Sequence, residues 1–396
     1  MYLKPFSFRT SAAFIWIFLF VFFISSCKKT DRPSSVQDEI SAAKNQKQKV
    51  KRLKDYSVRM LAANTTGYGA EHIISTLKNA WGLAFSSGGT PWTGSQAGHV
   101  SDIMDSVGNR VAAIDPVNIP SPGSVTGGNP TGVVFNPNNG QFVIPSGNAT
   151  ASQAARFIFV GVDGVISAWN PTWGHNAYRV GVNAGSAYTG LTLASSGGSN
   201  YLYAANFSMG RIDIWNQAWA AQNWAGAFVD PNLPEGYSPF NIQVVGDKLY
   251  VMYAKVDEEE HEEEAGPGLG LVDIYTTSGT FIQRFATGGT LNAPWGVAMA
   301  PVSFYKDDED SDAGPAILVG NFGDGRINAY RAKNGKFLGQ LSMHNTPITI
   351  EGLWAISFAP STSPINQNLL YFAAGPNDEE DGLFGYISRV DRDDDD

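Results

Sequence analysis

Residues 319–330 read VGNFGDGRINAY: the end of an apolar strand, a turn with two nearby glycines, and a second strand that ends in Tyr330. A strand, a glycine turn and a strand ending in a large apolar residue five positions after the glycine recur along the chain. The close copies are at 164–169 (GVISAW), 210–215 (GRIDIW) and 270–275 (GLVDIY), and looser ones are at 98–103 (GHVSDI) and 382–387 (GLFGYI). The pattern predicts six equivalent hairpins, in which glycine supplies a positive φ.

A second motif precedes each hairpin. It is a short apolar strand with a small or polar residue in its second position, and it occurs at 81–85 (WGLAF), 131–135 (TGVVF), 189–193 (TGLTL), 240–244 (FNIQV), 295–299 (WGVAM) and 354–358 (WAISF). The second positions 82, 132, 190, 241, 296 and 355 are separated by 50, 58, 51, 55 and 59 residues. Repeats of this length indicate one small sheet per unit.

Six such units without a convincing helix predict an all-β fold, a six-bladed β-propeller with about four strands per blade. The apolar first strand of each unit would be innermost, and the aromatic residue after each hairpin would pack between neighbouring blades. Residues 56–63 (YSVRMLAA) precede the first repeat, so we expect this N-terminal strand to close the last blade. A β-helix has far shorter repeats, and tandem immunoglobulin-like domains need larger cores. The predicted propeller spans 56–390.

Long stretches resemble an uncharacterised family of exported bacterial six-bladed propellers, first defined partly among proteins with PEP-CTERM sorting tails. They include ARFIFVGVDGVISAWNP, YLYAANFSMGRIDIW, DPNLPEGYSPFNIQ, NAPWGVAMAP and AAGPNDEEDGLFGYI, and the resemblance runs from about residue 61 to 387. The blade pattern is more loosely similar to NHL-repeat propellers, which include binding scaffolds and metal-dependent enzymes. The resemblance implies the fold and export, but no activity. This chain differs in ending with DRDDDD, an acidic tail at 391–396, and not with a sorting tail.

The N-terminus predicts export and lipid anchoring. Lys4 and Arg9 precede a short apolar run at 12–24, and ISSC at 24–27 resembles a bacterial lipobox, so residues 1–27 read as a lipoprotein signal peptide ending at Cys27. The alternative is an uncleaved anchor helix, for which the apolar run is short. Residues 28–55 form a basic polar tether. We therefore expect a cell-envelope protein held in a membrane by lipid on Cys27, with the outer membrane as the expected location and the protein facing the periplasm or the exterior.

The charge distribution excludes one class of partner. The 396 residues carry a formal net charge of −10, and the first 55 hold 11 Lys or Arg against 4 Asp or Glu, whereas the rest hold 16 against 33. An acidic body argues against nucleic acid, because phosphate binding needs a basic face. Lys-rich residues beside the membrane would be attracted to anionic lipid. We expect a monomer with a protein or glycan partner on a propeller face.

Three acidic runs could bind a cation: DEEEHEEE at 257–264, DDEDSD at 307–312 and DEED at 378–381. Asp308, Asp310 and Asp312 alternate as calcium ligands do, although the rest of an EF-hand is missing. The loop GPNDEEDG gives a second candidate set for Ca²⁺ or another metal, Asn377, Asp378, Glu379 and Glu380. The alternative is that all three runs are solvated turns.

Polar residues at the starts of the first strands form the other candidate site. These residues are Asn79, Asn129, Asn241, Asn292 and Glu351. Amide and carboxylate groups that converge near a propeller axis could hold a polar ligand or a cation. The alternative is that these positions only begin strands, because the preceding turns favour Asn and Pro.

The sequence contains no recognisable catalytic motif. It has no HExxH, no GxSxG, no Walker loop and no Rossmann fingerprint, and Ser75 with Lys78 lacks the companion motifs of penicillin-binding enzymes. We therefore favour a non-catalytic binding or scaffold module. The alternative is a metal-dependent hydrolase or lactonase with an axial site, because the fold alone does not decide function.

Overall fold

The computed structural model describes residues 53–148, 150–305 and 314–390. The predicted lipidation site Cys27, the calcium candidates Asp308, Asp310 and Asp312, and the acidic tail at 391–396 lie outside these residues. In the described part the regular structure is strands, apart from one short helix, α1 (Val302–Tyr305), and a 3₁₀ turn (Pro171–Trp173). No helix in the described ranges has the length and apolarity to cross a membrane.

The strands follow the repeat. Two of them precede it, β1 (Tyr56–Ala63) and β2 (His72–Ile73). Blade 1 contains β3 (Ala80–Phe85), β4 (Pro91–Ser95), β5 (Val100–Ile103) and β6 (Val117–Asn118). Blade 2 begins with β7 (Pro130–Phe135); after a separate ribbon of β8 (Val143–Ile144) and β9 (Gln153–Ala154), it continues with β10 (Phe157–Gly161), β11 (Val165–Trp169) and β12 (Tyr178–Val182). Blade 3 contains β13 (Tyr188–Ser196), β14 (Ser199–Asn206), β15 (Arg211–Asn216) and β16 (Ala221–Gln222).

The second half is built in the same way. Blade 4 contains β17 (Tyr237–Val245), β18 (Lys248–Val256), the short β19 (Glu263–Glu264), β20 (Leu271–Thr276) and β21 (Phe281–Thr287). Blade 5 contains β22 (Pro294–Ala300), β23 (Ala316–Asn321), β24 (Ile327–Arg331) and β25 (Phe337–Gln340), and is followed by a ribbon of β26 (Ser342–Met343) and β27 (Thr346–Pro347). Blade 6 contains β28 (Leu353–Phe358), β29 (Leu369–Ala374) and β30 (Leu383–Arg389).

The six sheets form a ring, so the predicted six-bladed propeller is confirmed. In each blade the first strand is at one end of the sheet, and these inner strands contact one another in the cycle β3, β7, β13, β17, β22, β28 and back to β3. The N-terminal strand β1 pairs antiparallel with β30 over Tyr56↔Arg389 to Ala63↔Leu383, which confirms the predicted closure of the last blade. Both ends of the described propeller are thus joined in one sheet.

Small residues in the second position let the inner strands approach closely. A Cβ atom on Gly82 would lie 2.2 Å from the carbonyl oxygen of Thr131 on the next inner strand, and one on Gly132 would lie 2.6 Å from Leu191. Asn241 is the exception, and its amide donates a hydrogen bond of 2.8 Å to the carbonyl of Trp295 on the next inner strand. The second-position motif is therefore a packing requirement of the centre of the ring.

The hairpin glycines have two different roles. Gly325 has a φ of 67°, as the sequence predicts, but Gly98 does not have a positive φ. At Gly98 the glycine is required by space, because a Cβ atom would lie 2.0 Å from the carbonyl oxygen of Thr76. Gly270 and Gly382 also lack a positive φ, so the prediction that every hairpin needs glycine for its φ is wrong at Gly98, Gly270 and Gly382. The aromatic residues after the hairpins do pack between blades, as when Trp169 of blade 2 contacts Trp92 of blade 1 with ring centroids 4.7 Å apart.

Candidate functional site

An aromatic cluster fills the axis where the inner strands begin. Trp81 and Trp354 stack with centroids 3.6 Å apart, Phe322 stacks on Trp354 at 3.9 Å, and Phe240 and Trp295 contact Trp354 at 5.7 and 6.0 Å. We call this cluster, together with Phe207, the aromatic plug. Because its rings come from blades on different sides of the ring, it separates two openings. We call the end of the axis at the starts of the inner strands the N-terminal mouth, and the open cavity at the other end the C-terminal basin.

Asn79 links the plug to the N-terminal mouth. Its side chain is fully buried, and its Oδ1 accepts a hydrogen bond of 2.8 Å from Trp354 Nε1. Its Nδ2 donates to Gln96 Oε1 at 3.2 Å and to Glu379 Oε2. Gln96 Nε2 in turn donates to Asn129 Oδ1 at 3.5 Å. Two predicted residues, Asn79 and Asn129, are thus joined through Gln96, which the sequence analysis did not single out.

The loop 375–382 brings Glu379 to the mouth in an unusual conformation. Asn377, Asp378 and Glu379 are three consecutive residues with positive φ, at 58°, 49° and 65°. Left-handed backbone is costly for residues with a Cβ atom, and such conformations are concentrated at functional sites. The N–H of Asn377 donates to Glu351 Oε1 at 2.9 Å, and Asn377 Nδ2 donates to Asp381 Oδ2 at 3.2 Å. These contacts join the predicted axial residue Glu351 to the predicted loop.

A second carboxyl group reaches the mouth from blade 4. Glu263 is in β19, which pairs with the end of β18 through Val256↔Glu263. Burial and the charges of Glu379 and Glu262 raise the pKa of Glu263 to about 8. Burial also raises the pKa of Glu379 and, together with the charges of Glu262 and Asp378, outweighs the opposing hydrogen bond from Asn79. The acidic groups of blades 4 and 6 therefore interact across the mouth.

A third carboxyl group lies in the turn after the second strand of blade 2. Asp163 Oδ2 accepts a hydrogen bond of 3.2 Å from the N–H of Asn129, and burial raises the pKa of Asp163. This contact connects Asp163 to the Asn79–Gln96–Asn129 network. Carboxyl groups from blades 2, 4 and 6 thus belong to the same end of the axis.

The sequence contained a signal for Glu263 that we did not use. The acidic runs at 257–264 and 378–381 both follow the second strand of their blade, so a propeller must place them at the same end of the axis. The sequence analysis included the first run among possible cation sites but named no candidate residue in it. Its turn is held by Asp257, which accepts hydrogen bonds of 2.8 Å from the N–H groups of Glu259 and Glu260. Glu264 pairs with Lys255 at 2.6 Å.

The other predicted residues have contacts away from this network. Asn292 Oδ1 accepts a hydrogen bond of 2.7 Å from the N–H of Gly266, and Asn241 bonds to the neighbouring inner strand as described above. Glu380 is exposed. In the ranges that the structure describes, no three His, Cys, Asp or Glu side chains are grouped so that they could hold one metal ion.

The C-terminal basin has a different chemistry. It is an open cavity of about 600 Å³ lined by residues of five inner strands and by adjoining loops. No lining residue in the described part of the chain carries an ionisable side chain. The lining comprises Leu83, Ala84, Phe85, Val133, Val134, Phe135, Pro137, Asn138, Thr192, Leu193, Ala194, Ser195, Asn200, Gln243, Val244, Ser357, Phe358 and Pro360.

The sequence has relatives among viral proteins of undetermined function. An uncharacterised protein of Acanthamoeba polyphaga mimivirus is 30% identical over 344 residues, which cover 84% of this chain and 80% of the relative. A second uncharacterised protein of the same virus is 32% identical over 270 residues, covering 65% of this chain and 67% of that relative. The chain belongs to the family of these two proteins. No family model matches it.

The solved structures that resemble this chain are propellers, and their sequences have low identity to it. A streptogramin B lyase is 13% identical with a TM-score of 0.48, covering 85% of this chain and 98% of the lyase. The virginiamycin B lyase of Staphylococcus aureus is 14% identical with the same TM-score, covering 85% of this chain and all of the lyase. No activity is inferred from these similarities. The resemblance to exported bacterial propellers stays a prediction.

Proposed function

We propose that the protein is a non-catalytic binding module that holds a positively charged, amine-bearing ligand at the N-terminal mouth. The observation that carries this proposal is the interaction of Glu263 with Glu379, two carboxyl groups with raised pKa values from blades 4 and 6, at the end of the axis where Asp163 of blade 2 also lies. Titratable groups whose pKa values are shifted by burial and by one another are a common sign of a functional site.

Electrostatics favours a cation at this position. The negative charges of Glu263 and Glu379 repel each other when both groups are ionised. A positive charge between them would offset this repulsion. The half-buried ring of Phe322 in the plug adds an aromatic surface, which attracts ammonium groups. Lys255 does not supply the missing positive charge, because it pairs with Glu264.

The proposal is tested by calorimetric titration of the full-length chain with putrescine, and separately with calcium chloride. We expect putrescine to bind, and Glu379→Gln and Glu263→Gln each to weaken its binding by about tenfold or more. Asp247→Asn removes an exposed carboxylate in the turn between β17 and β18, at the opposite end of the inner strands, and serves as the control. Absence of putrescine binding, or an equal loss with the control, would refute an amine site; tight binding of calcium alone would replace the amine with a metal ion.

A second candidate function is hydrolysis at the N-terminal mouth. The sequence analysis gave a metal-dependent hydrolase or lactonase as the alternative to a binding module. Its support is the pKa of Glu263, which at about 8 keeps this carboxyl group protonated near neutral pH. A protonated carboxyl group beside a second one can act as a general acid–base pair. The test is hydrolysis of simple esters and lactones with and without added divalent metal, with Glu263→Gln as the inactive variant.

We also propose that the protein is exported and held at the cell envelope by lipid on Cys27. The supporting observation is the lipobox-like sequence ISSC after a short apolar run, followed by the basic tether. Labelling with a radioactive fatty acid in a bacterial host, followed by mass spectrometry of the N-terminal peptide, tests this proposal. We expect the label in the wild-type chain and none in Cys27→Ser.

A further inference from the structure

The C-terminal basin combines open backbone edges with uncharged side chains. Each inner strand is the last strand of its sheet, so one edge of it has no strand partner. Backbone N–H and C=O groups on such an edge must bond to side chains, water or a ligand. One of them is satisfied by a neighbouring strand, since the N–H of Val244 donates to Thr192 Oγ1 at 3.1 Å. The basin is therefore bordered by donors and acceptors that point to the centre of a ring.

The side chains of the basin add neutral polar groups to an apolar surface. Gln243 is half-buried, and within the described residues its amide has no hydrogen-bond partner. Asn200 uses its Nδ2 to bond to Gln141 at 2.7 Å, which leaves its Oδ1 as an acceptor. Ser195 is exposed at the rim. Leu193 and Phe358 contribute half-buried apolar surface between these groups.

We propose that the C-terminal basin is a second ligand site, which binds a neutral carbohydrate of one to three sugar rings. A sugar ring has an apolar face and many hydroxyl groups, which match the mixture of apolar side chains, amides and open backbone edges. The absence of ionisable side chains among the described lining residues means that a charged ligand would lose its hydration without a charged partner. The cavity of about 600 Å³ is within the ordinary range for small-molecule sites.

The two sites are independent because the aromatic plug lies between them. The ring of Trp354 contacts those of Trp81 and Trp295, and Trp295 Nε1 donates a hydrogen bond of 2.9 Å to the carbonyl of Thr189 in blade 3. A ligand at one opening would thus make no contact with a ligand at the other. This site does not depend on the proposed amine site.

The proposal is tested by binding of the full-length chain to an array of neutral glucose and N-acetylglucosamine trisaccharides, together with sialylated and uronic-acid counterparts. We expect at least one neutral sugar to bind. Ser195→Trp, which places a large ring at the rim, should reduce binding by about tenfold or more, and Gln243→Ala should reduce it by about threefold or more. Ser152→Trp, an equal change at an exposed site outside the lining, should have no effect. Glu379→Gln at the opposite mouth should also have no effect.

Several results would overturn the proposal. They are no binding to any neutral sugar, binding restricted to the charged sugars, equal losses in Ser195→Trp and Ser152→Trp, or loss of sugar binding in Glu379→Gln. Binding of uncharged extended peptides in place of sugars would also overturn it, and would assign the open strand edges to β-strand addition. Thermal melting of each variant distinguishes a lost site from a lost fold.

Discussion

Glu263 and Asp102 are both carboxylic acids whose protons are held more tightly than usual, for different reasons. Glu263 faces other acidic groups at an open mouth, and its pKa is raised to about 8. Asp102 is completely buried in blade 1, where Ser95 Oγ and Thr76 Oγ1 donate hydrogen bonds to it, and burial raises its pKa to about 7. We therefore expect the protonation of Glu263 to affect ligand binding, and that of Asp102 to affect the stability of the fold.

Binding of a cation should release a proton from Glu263. Because its pKa is about 8, the free protein carries this proton at neutral pH, and a bound cation favours the ionised form. Putrescine affinity should therefore rise between about pH 6 and about pH 9 and level off above, as long as the amine stays charged. Calorimetry in buffers of different ionisation enthalpy should detect about one proton released near neutral pH, and none in Glu263→Gln. A buffer-independent enthalpy in the wild type would contradict this assignment.

Replacement of Asp102 by Asn should stabilise the protein in alkaline solution. The folded-state pKa of about 7 is above the ordinary value of 3.8, so the folded state binds the proton more tightly than the unfolded state. Protonated Asp102 therefore contributes to the free energy of unfolding, by roughly 4 kcal/mol relative to ionised Asp102. This contribution is complete at low pH and is lost as the pH rises from about 4 to about 7. Asp102→Asn removes this loss, so its melting temperature should exceed that of the wild type above about pH 7 and vary less with pH. Parallel pH profiles of the two proteins would show that Asp102 is not the responsible group.

At the scale of the strand, the second position of the inner strand decides whether neighbouring blades can meet. Gly82→Ala places a Cβ atom 2.2 Å from the carbonyl oxygen of Thr131, and both atoms belong to rigid backbone. We expect a loss of about 2–4 kcal/mol in the free energy of unfolding, measured with urea. Gly181→Ala in β12 is the matched control, because no atom lies within 4 Å of its new Cβ. Equal stability of the two variants would remove the packing explanation of the motif.

The strands could be predicted from the sequence, whereas the contacts between side chains at the N-terminal mouth could be predicted only in part. Hairpin turns and apolar runs are local, so β10 follows from residues close in sequence. The closure by β1 joins residues distant in sequence and was predictable because a ring of repeats must close. The bond between Asn79 and Glu379 joins blade 1 to blade 6, and the interaction of Glu263 with Glu379 joins blade 4 to blade 6. Such contacts depend on the twist and radius of the ring, which no short sequence pattern specifies.

At the scale of the whole molecule, ring closure rests on the pairing of β1 with β30. Val58→Pro removes an N–H from β1 and places a rigid ring opposite Ile387. We expect a loss of about 3 kcal/mol or more in the free energy of unfolding and earlier proteolysis of the N-terminal strand. Val125→Pro, in an exposed loop, is the control and should leave stability nearly unchanged. Unaltered unfolding of Val58→Pro would mean that the propeller stays closed without this ladder.

The closing ladder also has a mechanical meaning for a tethered protein. The chain enters the propeller at Tyr56, at the start of β1, and the bonds to β30 run across the strand direction. A pull along the direction of β1 is therefore a shearing force that all these bonds resist together, and they are not peeled apart one after another. Under the proposed N-terminal anchoring, a pull in this direction would be carried by the whole ladder that closes the ring.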